Sequence, residues 1–386
     1  NVMQGLLNAT SVMKSKGTTI VILSPVLKIP PELNPVVRVL MHDLPEDAEY
    51  HKCLRDVLEE NSTLSDTELQ SIVQAGKGMT LAGYEDALAL SLVKDGQITP
   101  KAIWNEKADM IKKSGLAEIY HGQEKFDDIG GLDGLKQFCL RSLTSGRSGS
   151  RGVMLLGVPG TGKSLFAKAL GNEVGRCTIS LEMSKMYSSL VGETERNIRE
   201  TLQVIDKLEP SIVFIDEIEK ALSGVQSSGR TDGGTGSRVF STFLQWLNDH
   251  RSDSYVIATC NSIDDLPPEF LRQERWDGIF FVDLPNYEER EQIWKMYKGK
   301  YEIEGKHPEN INGWSGAEIK SACRLSHLQN ISLEESIKMT IPLTISASEK
   351  IEGIRRKAGG KSLSASTGGI YQYAAQTSSK RRINSM

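Results

Sequence analysis

The chain has 386 residues, 46 of them basic and 50 acidic, for a formal charge of −4 and a hydrophobic fraction of 39%. This is the composition of an ordinary globular protein, long enough for two or three domains that each bury a core. The balanced charge offers no broad basic surface for a nucleic-acid backbone or an anionic membrane, so both are disfavoured as partners. The five cysteines form no CxxC pair and their odd number suits a reducing compartment. The histidines show no HExxH spacing, which argues against a zinc site. No apolar stretch reaches membrane-spanning length, so no membrane insertion is expected. Nothing reads as a signal peptide, and the opening on Asn1 fits a start further upstream.

In chain order, the first feature is an apolar run, TTIVIL at 18–23, followed by IPPELNPVVRVLMHDLPEDAEY at 29–50. The pattern returns later as SYVIAT at 254–259 followed by LPPEFLRQERWDGIFFVDLPNYEER at 266–290. Each copy runs through a Pro-Pro-Glu turn and a second apolar run into Leu-Pro and an acidic helix start. In the first copy 11 residues separate Glu32 from Leu44; in the second, 14 separate Glu269 from Leu284 and include Arg272 and Arg275. Ser24 falls where Asn261 stands. GKGMTLAGYEDALALSLV at 76–93 likewise echoes INGWSGAEIKSACRLSHL at 311–328.

From residue 151, β-rich runs (RGVMLL, CTISLEM, SIVFID, SYVIAT, GIFFVDL) alternate with amphipathic segments such as ETERNIRETLQVIDKL, which predicts a parallel sheet flanked by helices. After Pro285 no strand is predicted, only helices at 286–299, 315–329, 332–340 and 348–357. Two Gly/Ser-rich stretches, 223–237 and 359–386, read as mobile, the second as a solvated tail carrying Lys380, Arg381 and Arg382.

The most specific signal is GVPGTGKS, comprising Gly157, Val158, Pro159, Gly160, Thr161, Gly162, Lys163 and Ser164, with Leu165 next along the following helix. Its glycines let backbone N–H groups wrap the phosphates of a nucleotide such as ATP. Lys163 reaches the β and γ oxygens, and Ser164 supplies an oxygen to Mg²⁺. Such a loop needs an acidic partner on a neighbouring strand. SIVFIDEIEK supplies Asp216 for the metal and then Glu217 to polarise the attacking water. SYVIATCN ends a further strand at Asn261, whose amide is placed to orient that water or sense the γ-phosphate.

FDDIGGLDGLK, GVPGTGKS, VGETERNIRE, VFIDEIEK, ATCN, LPPEFLRQERWD and GWSGAEIKSACR, in this order over roughly 126–345, resemble the AAA family of ring-forming ATPases. Taken with ILSPVLKIPPEL and IPLTISASEKIEGIRRKA, the whole chain resembles the hypothetical-chloroplast-reading-frame AAA ATPases of plastids and cyanobacteria and their bacterial and phage relatives. The resemblance implies an α/β fold: a P-loop αβα domain over 119–285, a helical lid over 286–358 and a flexible tail over 359–386. It implies that adenine packs near Ile129 and Gly130 and against Gly316 and Ala317. It also implies that Arg272 and Arg275 act as arginine fingers in a neighbouring subunit's site, although Gln273-Glu274 stands where Pro-Gly or Lys-Gly is common. A homo-oligomer, expected as a hexamer, in a bacterial or phage-infected cytoplasm or a plastid stroma follows from the same likeness. Against this frame, residues 1–118 read as the C-terminal half of a degenerate AAA-like module, a partial sheet plus lid without sensor or fingers.

Three functions compete. One is an ATP-driven ring that remodels a protein partner; a second is a nucleotide-gated assembly or regulatory ring that threads nothing. The third, a nucleic-acid motor, lacks a basic channel or reading module. SSLVGETE separates the first two, since Leu190 stands where the AAA pattern places an aromatic, and leucine grips a passing polypeptide by bulk alone.

Overall fold

The computed structural model describes residues 2–22, 31–33, 35–38, 40, 45–58, 64–112, 117–145, 147, 149–183, 193–220, 235–250, 252–308 and 311–373. The chain divides into two units, Asn1–Leu44 and Pro45–Met386.

In the first unit, helix α1 (Val2–Lys16) stops at Gly17, which takes a left-handed φ of 63°. Pro31–Leu33 form a single 3₁₀ turn. A partial sheet is expected within 1–118, with TTIVIL at 18–23 as its apolar run; the described residues 18–22 form no strand, and Ile20, Val21 and Ile22 are exposed. Val36, Val37 and Leu40 are exposed as well, so these apolar runs do not bury the core expected of them. A strand persists only where a neighbour takes up its backbone hydrogen bonds, and the described residues of this unit contain no second strand.

The second unit opens with four helices: α2 (Asp47–Val57), α3 (Asp66–Gly76), α4 (Leu81–Asp95) and α5 (Pro100–Lys112). Their ends are written in the sequence. Ser65 and Glu68 form a capping box at the start of α3, the Thr80 hydroxyl accepts from the Gly83 N–H at 3.2 Å to start α4, and Gly96 ends α4 at a φ of 68°. Tyr50, Leu54, Ile72, Tyr84, Leu88 and Ile103 fill the core between them. Tyr50 meets Tyr84 edge to face at 5.2 Å and donates its hydroxyl to the Met79 carbonyl at 2.6 Å. Lys107, fully buried, donates to the carbonyl of Lys77, and its ammonium lies 4.3 Å from the ring centre of Trp104.

A sheet of seven strands follows: β1 (Ala117–Ile119), β2 (Gly152–Gly157), β3 (Cys177–Leu181), β4 (Ser211–Ile215), β5 (Ser254–Cys260), β6 (Gly278–Val282) and β7 (Leu363–Ser364). Its order is β1-β3-β4-β5-β2-β6-β7, parallel except for β1. Every residue of β2, β4 and β5 is buried, as expected of central strands covered on both faces. Helices α6 (Asp133–Thr144), α7 (Lys163–Val174), α8 (Glu193–Lys207) and α9 (Thr235–Asp249) connect the strands. The ends of β2, β4 and β5 lie side by side, which brings Gly157–Gly162, Asp216–Glu217 and Asn261 to one edge.

Five helices follow β6: α10 (Tyr287–Lys300), α11 (Gly316–Gln329) and α12 (Leu333–Lys338) form a lid around Trp294, Trp314, Ile319 and Cys323, whereas α13 (Leu343–Ser346) and α14 (Ser348–Ala358) turn Leu343, Ile351, Ile354 and Ala358 to the core of the sheet, so the lid expected over 286–358 is shorter than that. Asn286 and Glu289 cap α10 reciprocally at 2.9 and 3.0 Å. A flexible tail from 359 and no strand after Pro285 are the sequence expectations, and residues 359–373 correct both. Leu363 and Ser364 pair with Phe280 and Phe281 of β6, and the Tyr371 hydroxyl donates to Asp283 at 2.8 Å beside the Arg355 guanidinium. Two backbone N–H groups of α6, at Gly134 and Leu135, donate to Ser366 and Ala365. Residues 374–386, with Lys380, Arg381 and Arg382, and residues 223–234 of the polar stretch at 223–237 lie outside the described residues.

Candidate nucleotide-binding site

Strand β2 leads directly into the glycine loop. Gly160 and Gly162 hold φ of 80° and 92°, the left-handed region where other residues are strained. At Gly160 space is short too: a Cβ there would lie 3.0 Å from Ala317 Cβ and 3.1 Å from Ser315 Oγ. The lid is tied to the loop at this point, since the Ala317 N–H donates to the Gly160 carbonyl at 3.0 Å.

Lys163, the first residue of α7, is 6% exposed and donates to the carbonyls of Gly157 at 2.9 Å and Val158 at 2.8 Å. Burial pushes its ammonium down to about 8, against the opposing pull of the nearby acids Glu219, Asp216 and Glu217. The Thr161 hydroxyl donates to Val158 O at 2.8 Å and braces the loop.

Ser164 Oγ donates to Asp216 Oδ1 at 2.9 Å, and Thr259 Oγ1 donates to the same oxygen at 2.6 Å. A hydroxyl beside a carboxylate is a hard-oxygen pair that suits Mg²⁺, an ion that takes few protein ligands and keeps its other positions for water and phosphate. Glu217 has a φ of 47°, and its N–H donates to Thr259 Oγ1 at 2.8 Å. Asn261 Nδ2 donates to Glu217 Oε1 at 3.1 Å, while Lys220 pairs with Glu217 Oε2. The buried Glu219 accepts the Asn261 N–H at 3.0 Å through Oε1.

Thr161, Lys163, Ser164, Asp216, Glu217, Thr259 and Asn261 face one cavity of about 320 Å³, lined also by Pro159, Leu165, Ile129, Gly130, Gly316 and Ala317. Gly157 and Val158, expected among the binding residues, are buried and do not line it; their carbonyls accept from Lys163. Its far end is an apolar slot of Ile129, Ile293, Met296 and Tyr297, where Gly130 approaches so closely that a Cβ would lie 2.5 Å from Ile293 Cγ1. A glycine loop and Lys163 beside an apolar lining of Ile129, Ile293, Met296 and Tyr297 fit the phosphates and base of a nucleotide.

Arg272 and Arg275 stand elsewhere. They line a separate cleft with Leu244 and Gln245 of α9, and Arg275 Nη1 donates to the Glu269 carbonyl at 2.5 Å. Leu190 lies outside the described residues. Sequence reasoning missed Asp128, Thr259, Ile293, Met296, Tyr297 and Lys320, all lining the cavity. Of these only Thr259 left a trace, a hydroxyl in an otherwise apolar run, since the others come from lid helices and turns that folding brings in.

Comparison with known proteins gives the family of the chain. Residues 153–284 match the ATPase family associated with various cellular activities (AAA), and residues 48–114 match the second domain of SpoVK-like AAA ATPases. An uncharacterized AAA domain-containing protein, ycf46, of Pyropia yezoensis is 34% identical over 382 residues, covering 92% of this chain and 77% of that protein. Its namesake in Guillardia theta is 32% identical, covering 91% and 75%. A proteasome-activating nucleotidase of Sulfurisphaera tokodaii is 35% identical over 54% of this chain and 55% of its own length. Among solved structures, the FIGL-1 AAA domain superposes with a TM-score of 0.51 at 20% identity over 65% of this chain and 94% of that one, a likeness of fold.

Proposed function

This chain belongs to the AAA family of ATPases, close to the ycf46-type proteins, and from that premise we propose that it works as a homo-oligomeric ring, expected as a hexamer, that hydrolyses Mg-ATP to remodel or regulate a protein partner. The observation that carries the reading is the convergence of Lys163, the Ser164–Asp216 pair and the Asn261–Glu217 pair on one cavity.

In this mechanism the loop amides, the N-terminus of α7 and Lys163 hold the phosphates. Ser164 and Asp216 would hold Mg²⁺, which when bound offsets phosphate charge. Glu217 takes the proton of a water that attacks the γ-phosphorus as the bond to the β-phosphate oxygen breaks, with Asn261 orienting that water. Ile129, Gly130, Gly316 and Ala317 enclose the base. Arg272 and Arg275, remote from their own chain's cavity, serve the site of an adjacent subunit.

The proteasome-activating nucleotidase named above acts, by its name, on a protein machine, which supports a protein as partner. The five free cysteines, four of them buried, suit a bacterial cytoplasm or a plastid stroma. Residues 1–118 we read as part of a degenerate AAA-like module whose lid is α2–α5, a reading supported by the second-domain match at 48–114. The alternative, a nucleotide-gated scaffold that threads nothing, rests on Leu190 in place of an aromatic.

The test is Glu217→Gln. Lys163 and Asp216 still bind the nucleotide while the water loses its activator, so fluorescent-ATP affinity stays within a few-fold and turnover falls at least about 100-fold. Hydrolysis at near the parental rate would remove Glu217 from the role.

A further inference from the structure

We propose that Thr259 is a positioning residue for hydrolysis: its hydroxyl fixes the metal-facing carboxylate of Asp216 and the backbone of Glu217 together. The inference rests on the roles assigned above to Asp216 and Glu217.

A threonine hydroxyl has one proton to give and lone pairs to receive with. Here both functions are spent on consecutive residues. Oγ1 donates to Asp216 Oδ1 at 2.6 Å and accepts the Glu217 N–H at 2.8 Å. Thr259 is 1% exposed and sits in β5 between β2 and β4, opposite Leu155 on one side. On the other side the ladder ends at the pair Ile215–Ala258, so the next residues of the β4 chain have lost their sheet partners. The Thr259 side chain serves the Glu217 N–H where the ladder no longer does.

That service matters because of the conformation it holds. Glu217 has a φ of 47°, a left-handed geometry that non-glycine residues keep only when their surroundings over-determine it. The same turn of backbone directs its carboxylate back to Asn261 Nδ2, 3.1 Å from Oε1. Without the hydroxyl, the Glu217 N–H loses its acceptor and the peptide is free to relax toward ordinary φ, carrying the carboxylate away from the water it is to activate. Asp216 would keep only Ser164, 2.9 Å away, on the same oxygen.

A bland account exists: a β-branched residue fills a buried strand position and its hydroxyl is merely satisfied. The two accounts rank substitutions in opposite order. If the hydroxyl positions the acids, Thr259→Val, which keeps shape and loses the hydroxyl, lowers kcat about 30-fold with KM and fluorescent-ATP affinity within about threefold, and Thr259→Ser restores most of the rate. If only packing matters, valine is neutral and serine, which opens a methyl-sized gap, is the worse variant. Valine at more than half the parental kcat, or serine slower than valine, overturns the proposal. Should the valine chain fail to fold, Thr259→Ala against Thr259→Ser makes the same comparison: slow alanine with fast serine supports it, and equal rates overturn it. Glu217→Gln is assayed in parallel. If Glu217→Gln turns over normally, the assignment of Glu217 fails and this proposal with it; if Glu217→Gln is inactive while Thr259→Val is normal, only the proposal fails.

Discussion

The helices α2–α5 and the lid helices α10–α12 begin and end in similar ways. Each opens after Leu-Pro with a helix whose third residue, Glu49 or Glu289, accepts the cap residue's N–H at 2.9 Å. In each, a hydroxyl-capped helix follows, α4 behind Thr80 and α11 behind Ser315, and ends on a left-handed residue, Gly96 or Asn330. They differ in what the capped helix faces. The first turn of α11 donates an N–H to Gly160 and lines the nucleotide cavity, whereas α4 packs its Tyr84 and Leu88 into a closed core. A capped helix start becomes a nucleotide clamp only when a glycine loop lies across from it; otherwise it is scaffolding.

The sharpest attempt to break this contrast is Lys163→Ala. If α2–α5 is scaffolding alone, this change removes all saturable fluorescent-ATP binding from the chain; binding that persists and depends on Mg²⁺ would reveal a second site within 1–118. A somewhat smaller effect concerns the arginines present at 272 and 275 and missing from the shortened first copy. Arg275→Ala should lower hydrolysis about 1,000-fold, and mixing it with Lys163→Ala subunits, which still carry the arginine, should return part of the activity. Mixed rings that stay inactive would show that Arg275 does not act across subunits.

The smallest effect comes from the buried lysine in each region. Burial pushes Lys163 down to about 8, and phosphates favour its charged form. Above about pH 8, ATP binding must therefore take up a proton, and affinity falls up to tenfold per pH unit, measurable by calorimetry in buffers of different ionisation enthalpy. Burial pushes Lys107 down to about 7. Between that value and the unfolded one the unfolded chain holds more protons, so this group adds stability as pH rises from 7 and leaves ATP affinity untouched. Lys107→Met should flatten the rise of melting temperature with pH while preserving the affinity profile.

Much of the site was legible because its chemistry is local in sequence. GVPGTGKS carries its own turn geometry, and SIVFID announces a buried strand delivering an acid. Thr259 was not legible, because its role follows from β4 ending at Ile215 while β5 runs on to Cys260, and no local pattern carries that register. The apolar slot escaped for a similar reason, as Ile293, Met296 and Tyr297 read simply as one face of an amphipathic helix. TTIVIL misled in the other direction: β propensity is realised only beside a partner, and residues 18–22 show none. KSLSASTGG reads as part of a flexible tail, yet two of its residues make a strand because β6 offers them a ready edge.

That borrowed edge bears on how the chain is made. Strand β6 ends at Val282 and the segment that covers it begins at Leu363, about 80 residues later, so during synthesis Phe280 and Phe281 lie in an open sheet margin until all five helices between them have left the ribosome. A prematurely terminated chain that contains every nucleotide-binding residue would still carry that unprotected margin, the kind of surface on which incomplete chains aggregate or are captured by chaperones.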